Sequence, residues 1–279
     1  MTINKNSLQA RINNLSNKTG IHQNILLKSF FFDAFLKRLA VSDYSENFVF
    51  KGGFLLSTTL GISLRSTIDI DFLLRKLSID KESVAKVIKT ISSIDIGDGI
   101  IFKLQSIDAI RQEDDYGGYS VALSGRLDNI KETVSIDIVT GDPITPNATN
   151  YEYKCLFEPD ILTFKAYNFE TIIAEKLQTI LIRGVTNSRS KDFYDLFIIH
   201  KLRWNNIDVN ILKKAFENTC KYRGTMFSKK EANEILADIA GNSIVEKRWN
   251  MYRNKNKYAE GIDFLDTIEA IKILLDSSL

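Results

Sequence analysis

The sequence is poor in the residues that build disulfide scaffolds, zinc sites and histidine-based active sites. Its 279 residues include only two cysteines and two histidines. Cys155 and Cys220 lack the spacing of a metal-binding motif, and His22 and His200 stand alone in the sequence. These absences exclude a disulfide-rich class and any evident zinc site, and they leave carboxylates as the groups available for catalysis.

Long apolar runs are also absent. No uninterrupted apolar segment is long enough to cross a bilayer, and the N-terminus is polar and rich in asparagine. We therefore expect neither a membrane span nor a signal peptide, and the low cysteine content predicts a cytoplasmic location. A hydrophobic content of 44% and a charged content of 26% are typical of a soluble globular protein.

The three prolines of the chain punctuate its middle. Before them, short strand-like segments alternate with helical ones, and beyond them the apolar spacing becomes helical. We predict an α+β fold with two domains. The first, residues 1–155, has a mixed sheet, and the second, residues 156–279, is mainly helical.

Two aspartates alternate with apolar residues between Ile68 and Phe72. Residues i and i+2 of a strand point to the same side, so Asp69 and Asp71 should share one face while the apolar residues point into the protein. Carboxylates this close repel each other unless a cation lies between them. Mg²⁺ suits the pair, because it prefers oxygen ligands and keeps positions for phosphate oxygens. The alternative is a solvated strand whose aspartates have no function.

A glycine turn precedes this strand. Lys51, Gly52 and Gly53 follow a short predicted strand, and a helix is predicted from Phe54 to Leu60. Glycines let the backbone approach a phosphate closely and point N–H groups at it, and a helix N-terminus adds a favourable dipole. The turn and the acidic strand together favour nucleotide chemistry.

A third aspartate lies in another alternating, β-branched segment. Asp137 is flanked by Ile136 and Ile138, and the preceding run from Tyr119 to Leu127 predicts an antiparallel hairpin beside the first acidic strand. An acid among core residues is costly unless it is paired or binds a metal. The alternative is an acid exposed at the edge of a strand.

The C-terminal half contains a lysine on a largely apolar helix. Lys176 lies one turn after Ile172, and a second helix is predicted to begin near Arg189. Such a lysine either reaches the surface or meets an anion. Asp192 and Asp195 share a face of the second helix, where they could instead cap it or neutralise Lys176 and Arg189.

Positive charge is concentrated near the C-terminus. Residues 201–260 contain thirteen Lys and Arg against seven Asp and Glu, although the whole chain carries a net charge of +2. Mixed clusters of cations and aromatics are common on nucleic-acid-binding surfaces. Lysine-rich solvated helices are the alternative explanation.

Taken in order, these motifs resemble those of the AbiEii family, nucleotidyltransferase-like toxins of bacterial abortive-infection and toxin–antitoxin systems within the polymerase-β-like superfamily. The resemblance covers Phe48 to His200 and implies a polymerase-β-like nucleotidyltransferase domain at the N-terminus. The motifs are Lys51-Gly52-Gly53, Arg65 to Phe72, Ile136-Asp137-Ile138 with Gly141-Asp142, Ile173 to Leu177, and Arg189 to Leu196.

The resemblance implies a role for each residue of the site. Asp69 and Asp71 would bind Mg²⁺, or Mn²⁺ in its place, together with the nucleoside triphosphate (NTP), and Asp137 would be a third metal ligand. Lys176 would hold the phosphates or stabilise developing charge, and Asp192 would act as a base or orient the attacking hydroxyl. The residues cradling the nucleotide would be Lys51, Gly52, Gly53, Arg65 and Thr67.

The resemblance also implies the reaction and its partners. A substrate hydroxyl would attack the α-phosphorus and pyrophosphate would leave. The acceptor would be an RNA, specifically the tRNA 3′ end, so that nucleotide addition blocks translation in a toxin–antitoxin or phage-defence system. A cognate antitoxin would be encoded nearby.

Two other functions remain open at this point. The first is a nucleotidyltransferase that modifies a small molecule such as an antibiotic, which would not depend on the basic C-terminal region. The second is a non-catalytic nucleotide-binding or scaffolding protein. The presence of Asp69, Asp71, Lys176 and Asp192 argues against the second, because every charged group of the expected site is retained.

Overall fold

The computed structural model describes residues 4–65, 67, 69–77, 80–110 and 117–279, so Ile68 of the acidic segment lies outside the described residues. The chain divides into two compact units. The sheet unit comprises Met1–Gly141 and Thr149–Ala166, and the helical unit comprises Asp142–Ala148 and Tyr167–Leu279.

The sheet unit alternates helices and strands. Its described elements are, in chain order, α1 (Lys5–Thr19), α2 (Gln23–Ala40), β1 (Phe48–Lys51), α3 (Gly52–Leu60), β2 (Asp69–Leu74), α4 (Lys81–Ser92), β3 (Ile101–Ile110), β4 (Gly118–Leu127), β5 (Ile130–Val139), β6 (Thr149–Lys154) and β7 (Ile161–Ala166).

One mixed sheet contains the seven strands found among the described residues, in the order β3-β4-β5-β2-β1-β7-β6. The pairs β2–β5 and β1–β7 are parallel, and the other neighbours are antiparallel. Strands β4 and β5 form the predicted hairpin, and β5 lies directly beside the acidic strand β2. The α+β prediction with a mixed sheet is confirmed.

Helix α2 supplies much of the core on one face of the sheet. A Cβ atom on Gly125 of β4 would lie 2.4 Å from Cδ1 of Phe31, so only glycine permits this approach. Successive residues of a strand face opposite sides, so Ser124 points away from Phe31. Ser120 lies on the same side as Ser124, and so does its register partner Asp137. The phenylalanines of α2 therefore cover the face opposite the carboxylates.

Local signals explain the boundaries of α4. Asp80 caps it by accepting a hydrogen bond from Ser83 N, and its apolar residues recur at helical spacing, which buries one face. The residues buried on this face are Val84, Val87, Ile88 and Ile91. The apolar spacing of residues 81–92 by itself predicts a helix with these bounds.

The helical unit contains six α-helices among its described residues. Their buried faces meet in an apolar core that includes Trp249 and Tyr194, both at most 1% exposed. The helices are α5 (Phe169–Arg183), α6 (Ser190–Arg203), α7 (Val209–Tyr222), α8 (Lys229–Ala240), α9 (Ser243–Lys255) and α10 (Phe264–Asp276).

The segment Asp142–Ala148 is tied to this unit by hydrogen bonds around Thr145. Thr145 N donates to Thr171 Oγ1 at 3.1 Å, and Asn168 Nδ2 donates to the Thr145 carbonyl at 2.6 Å. Asn218 Nδ2 donates to Thr145 Oγ1 at 2.9 Å. These bonds explain why the segment Asp142–Ala148 belongs to the helical unit, although the residues before and after it belong to the sheet unit.

Helix α1 and strands β6 and β7 were not predicted from the sequence. Strand β6 buries only Tyr153 and lies at the edge of the sheet, so it shows little apolar alternation.

Among the described residues, no helix combines the length and the apolar content that a membrane span needs.

Candidate functional site

The register of the sheet aligns charged and polar residues across four neighbouring strands. Lys51 of β1 is paired with Asp71 of β2, and Asp71 is paired with Asp137 of β5. Asp137 is in turn paired with Ser120 of β4. Directly paired residues point to the same face, so these side chains form one polar row on the sheet.

The two carboxylates in the row are half-buried, and the next residues along each strand are core residues. Ile70 and Phe72 are fully buried, as predicted, and so is Ile136. Asp69 is two residues before Asp71 and therefore faces the same side. The sheet thus presents three aspartates to one face while its apolar residues hold the strands in place.

The glycine turn is built around the Asp71 carboxylate. A Cβ atom on Gly52 would lie 2.5 Å from Asp71 Oδ2, and Gly52 has φ +61°. Gly53 N donates to the same oxygen at 3.0 Å. The carboxylate thereby satisfies one of the free N–H groups at the N-terminus of α3 and is favoured by the helix dipole.

Three residues of the predicted nucleotide-binding set lie together at this turn. A Cβ atom on Gly53 would be 3.0 Å from Nη2 of Arg65 and 3.5 Å from Oγ1 of Thr67. Arg65 is only 5% exposed, which is unusual for an arginine. Thr67 Oγ1 donates to the Asp69 carbonyl at 3.5 Å. The turn therefore brings a guanidinium and a hydroxyl beside the acidic strand.

The donor chemistry of this face suits a hard divalent cation. Asp71 and Asp137 are register partners on adjacent strands, and both offer carboxylate oxygens, which Mg²⁺ prefers. Across the described part of the chain, no group of three His, Cys, Asp or Glu side chains is arranged as a metal site. The paired aspartates fit a cation whose remaining ligands come from a substrate or water, with Asp69 beside them.

A second polar cluster lies in the helical unit. Lys176 Nζ of α5 donates to Asp192 Oδ1 and to Asp195 Oδ2 of α6, each at 2.7 Å. Arg189 Nε donates to Asp192 Oδ2 at 2.6 Å. The side chains of Asp192 and Asp195 are 2% and 0% exposed, and that of Lys176 is 11% exposed. Spacing on α6 explains the geometry, because residues three apart share a face.

The charges of this cluster stabilise one another against burial. Burial alone would raise the pKa of Asp192, but the ion pairs with Lys176 and Arg189 hold that pKa well below its ordinary value. Burial would likewise lower the pKa of Lys176, and the two aspartates raise it instead. Lys176 and Asp192 are therefore both charged at neutral pH.

A third buried ion-pair network was missed by the sequence analysis. Arg223 Nη2 lies 3.0 Å from Asp142 Oδ1 and 3.8 Å from Glu175 Oε2. Its Nη1 donates to Gln178 Oε1 at 2.8 Å. Arg223 is one of the cations counted in the basic region of residues 201–260, but here it joins α7 to α5 and to the segment Asp142–Ala148. The spacing of Glu175 and Gln178 on one face of α5 was the available signal.

Neither cysteine is placed for nucleophilic chemistry. Both are free and buried, and burial raises the pKa of Cys155 to about 12 and that of Cys220 to about 11. Thiols with such pKa values are poor nucleophiles at neutral pH. The cysteines are therefore packing residues.

The predicted site residues thus form two groups, one in each unit. The sheet unit contains the acidic strand residues and the glycine turn, and the helical unit contains Lys176 with Asp192. The members of the first group are Lys51, Gly52, Gly53, Arg65, Thr67, Asp69, Asp71 and Asp137.

A family model described as "Nucleotidyl transferase AbiEii toxin, Type IV TA system" matches residues 34–270 of the chain. The match contains both groups of site residues. The chain belongs to the AbiEii nucleotidyltransferase family. The resemblance inferred from the motifs is confirmed, and the protein is a nucleotidyltransferase of a toxin family. A comparison with curated proteins gave no match.

This AbiEii chain is similar to several solved structures. JHP933 from Helicobacter pylori matches with a TM-score of 0.50 and 18% identity, covering 92% of this chain and 94% of its own. A proposed nucleotidyltransferase from H. pylori matches with a TM-score of 0.49 and 19% identity, covering 92% and 95%. An antigenic nucleotidyltransferase-like protein from Paracoccidioides brasiliensis matches with a TM-score of 0.41 and 14% identity, covering 71% and 88%.

Proposed function

We propose that this AbiEii protein transfers a nucleotide from an NTP to the hydroxyl of an RNA acceptor, with the tRNA 3′ end as the specific target. The observation that best supports this is the register pair Asp71 and Asp137 beside the Gly52-Gly53 turn. A carboxylate pair next to a helix N-terminus suits a metal-bound triphosphate. The acceptor hydroxyl attacks the α-phosphorus, and pyrophosphate leaves.

Mg²⁺, or Mn²⁺ in its place, would be held by Asp71 and Asp137, with Asp69 beside them on the same face of the sheet. When bound, the ion neutralises charge on the triphosphate. The chain supports this arrangement by burying Ile70 and Phe72, which keeps the acidic strand rigid and the carboxylates on one face.

The glycine turn would hold the nucleotide. Arg65 and Thr67 lie beside Gly53, where a guanidinium and a hydroxyl can bind phosphate oxygens. Lys51 is in register with Asp71 and adds a cation to the same face of the sheet. Gly52 and Gly53 make the turn narrow enough for the backbone to approach the phosphates.

Lys176 and Asp192 would act on the phosphates and on the acceptor hydroxyl. Asp192 accepts hydrogen bonds from two cations, and these pairs lower its pKa, which makes it a weak base. We therefore favour orientation of the hydroxyl over proton abstraction as its role. Lys176 would supply positive charge, held in position by the two aspartates of α6.

The family context extends to the biology. Its description as a type IV toxin–antitoxin system implies an antitoxin partner. We propose that the enzyme acts in the cytoplasm, blocks translation by modifying tRNA, and serves in phage defence. The basic C-terminal region supports a polyanionic acceptor over a small molecule, because residues 201–260 carry six net positive charges.

The experiment is incubation of the purified protein with total tRNA, Mg²⁺ and each α-labelled NTP in turn. We expect label to enter RNA with one or more NTPs and to be lost in Asp71→Asn. Asp108→Asn is the matched control, because Asp108 is an exposed aspartate on β3 of the same sheet. Equal labelling of RNA by the wild type, Asp71→Asn and Asp108→Asn would contradict the assignment of Asp71 to the active site. NTP consumption without labelled RNA would favour a small-molecule acceptor, and no NTP binding would favour a scaffold.

A further inference from the structure

Helix α9 presents a continuous stripe of cations and large apolar side chains. Positions i, i+3, i+4, i+7 and i+11 share one face of a helix, and no acidic residue of α9 occupies that face. Val245 and Trp249 on another face are buried in the core. The residues of this stripe, called the α9 stripe below, are Ile244, Lys247, Arg248, Met251 and Lys255.

The apolar members of the α9 stripe are exposed to an extent that packing does not explain. Ile244 is 59% exposed and Met251 is 53% exposed, although both lie in a well-formed helix. Ile244 and Met251 lie two turns apart with Lys247 and Arg248 between them, so the helix face presents a mixed apolar and basic surface. The α9 stripe can therefore bind a ligand through both electrostatic and apolar contacts.

Ion pairs neutralise other cations of the basic region. Lys229 pairs with Asp276 at 3.1 Å, and Lys230 lies 3.7 Å from Glu234. Arg253 pairs with Asp263 at 3.1 Å. In the described parts of the chain, by contrast, no carboxylate lies within ion-pair distance of the cations of the α9 stripe. Among the described residues, the α9 stripe thus combines cations that have no carboxylate partner with exposed apolar side chains on a single helix face.

Hydrogen bonds connect the α9 stripe to the Lys176 cluster. Arg248 Nη1 donates to the carbonyls of Asn187 at 3.0 Å and Val185 at 3.3 Å. The Asn187 side chain accepts from Arg189 N at 2.9 Å, and Arg189 binds Asp192. Asn187 is 1% exposed, and its Nδ2 has no hydrogen-bond partner among the described residues. A ligand on the stripe would therefore contact Arg248, which is linked through the loop at Asn187 and Arg189 to the proposed acceptor-orienting residue Asp192.

We propose that the α9 stripe is the docking surface for the phosphate backbone of the acceptor RNA. This inference rests on the proposed function, because it assumes that RNA is the acceptor. Lys247 and Lys255 contact phosphates, and Arg248 fixes the loop that leads to Asp192. Ile244 and Met251 pack against ribose or unstacked bases, which present apolar surface in RNA.

The first test measures binding of total tRNA without NTP as salt is varied. The double variant Lys247→Gln/Lys255→Gln removes two exposed charges from the stripe and keeps helix-forming residues. Lys229→Gln/Lys230→Gln is the matched control, because it removes the same charge from α8. We expect tRNA affinity to fall about tenfold in the stripe variant, and the slope of log affinity against log salt to decrease by about 1.4 to 1.8.

A second variant separates docking from positioning. Arg248→Lys keeps the charge but loses the paired hydrogen bonds to the loop carbonyls. We expect near-normal tRNA affinity with a lower transfer rate, and NTP binding should be unchanged. Loss of tRNA affinity without any change in transfer at saturating tRNA would contradict the positioning role.

The outcomes distinguish this inference from the proposed function. The docking surface is refuted if the stripe variant and the α8 control variant both bind tRNA as tightly as the wild type, or if both lose the same affinity. The proposed function stands in either case as long as the wild type labels tRNA. Unchanged binding would favour an acidic protein partner for the stripe. If the wild type binds tRNA through the stripe but transfers nothing to any RNA, the docking surface stands and the function is refuted.

Discussion

A Cβ atom on Gly52 would lie 2.5 Å from Asp71 Oδ2, so the glycine turn and the acidic strand fit together only without a side chain at position 52. The N–H of the next residue, Gly53, donates to the same oxygen. The two sequence motifs that indicated nucleotide chemistry are therefore in direct contact.

Gly52→Ala should destabilise the protein more than an ordinary glycine substitution. Gly224 has φ +62°, close to the φ +61° of Gly52, but a Cβ atom there would meet nothing within 4 Å. Gly224→Ala should lower the free energy of unfolding by about 1 kcal/mol through backbone strain. Gly52→Ala should cost about 1–3 kcal/mol more, because the methyl group displaces Asp71. Urea denaturation measures the free energy of unfolding of both variants. Equal losses would show that the contact with Asp71 adds no destabilisation.

Asp71→Asn and Asp137→Asn should remove the response to Mg²⁺. A ligand that binds only the folded state raises the melting temperature, so Mg²⁺ should stabilise the wild type and should stabilise these variants much less. Nucleotide transfer should fall by about 10² or more, because an amide cannot replace the carboxylate charge. Asp108→Asn serves as the control on the same sheet. A full Mg²⁺ response in Asp137→Asn would remove this residue from the metal site.

Lys176→Met should be strongly destabilising. It leaves Asp192 and Asp195, both nearly inaccessible to solvent, without the cation that lies 2.7 Å from each. Breaking a buried ion pair costs about 3–5 kcal/mol, whereas Lys201→Met on exposed surface of α6 should cost less than about 0.5 kcal/mol. Thermal and urea unfolding measure the difference. Similar stability of the two variants would mean that Lys176 is not needed for the fold.

The Asp33 carboxyl should make stability depend on pH. Burial raises its pKa from 3.8 to about 7, although it accepts hydrogen bonds from Tyr153 Oη and from the N–H groups of Leu156 and Phe157. Because the folded state holds this proton more tightly than the unfolded state, the stabilisation is complete below pH 3.8 and is lost as pH rises towards 7.

The variant Asp33→Asn isolates this effect. We expect the wild type to lose about 3 kcal/mol between pH 4 and pH 7 relative to Asp33→Asn, which cannot ionise. Urea titrations at a series of pH values provide the comparison. Parallel pH profiles for the two proteins would contradict the raised pKa.

Much of the local structure was predictable because it depends on residues close in sequence. Alternation of Asp69 and Asp71 with core residues predicted strand β2, and the apolar spacing of residues 81–92 predicted α4. Strand β6 was not predictable, because at the sheet edge it buries only Tyr153. The fold class followed from such local patterns, and the family resemblance followed from the order of the motifs.

Strand and helix periodicity are local properties, so the faces and the order of the site residues can be read from the chain alone. Which of these residues meet depends on tertiary contacts. The register between β2 and β5 pairs Asp71 with Asp137, and the packing of α5 on α6 gives Lys176 its two carboxylate partners. Long-range pairing also buried Arg223 in an ion-pair network while leaving the α9 stripe exposed. Pairing across long sequence separations depends on the packing of whole elements, and no local pattern specifies it.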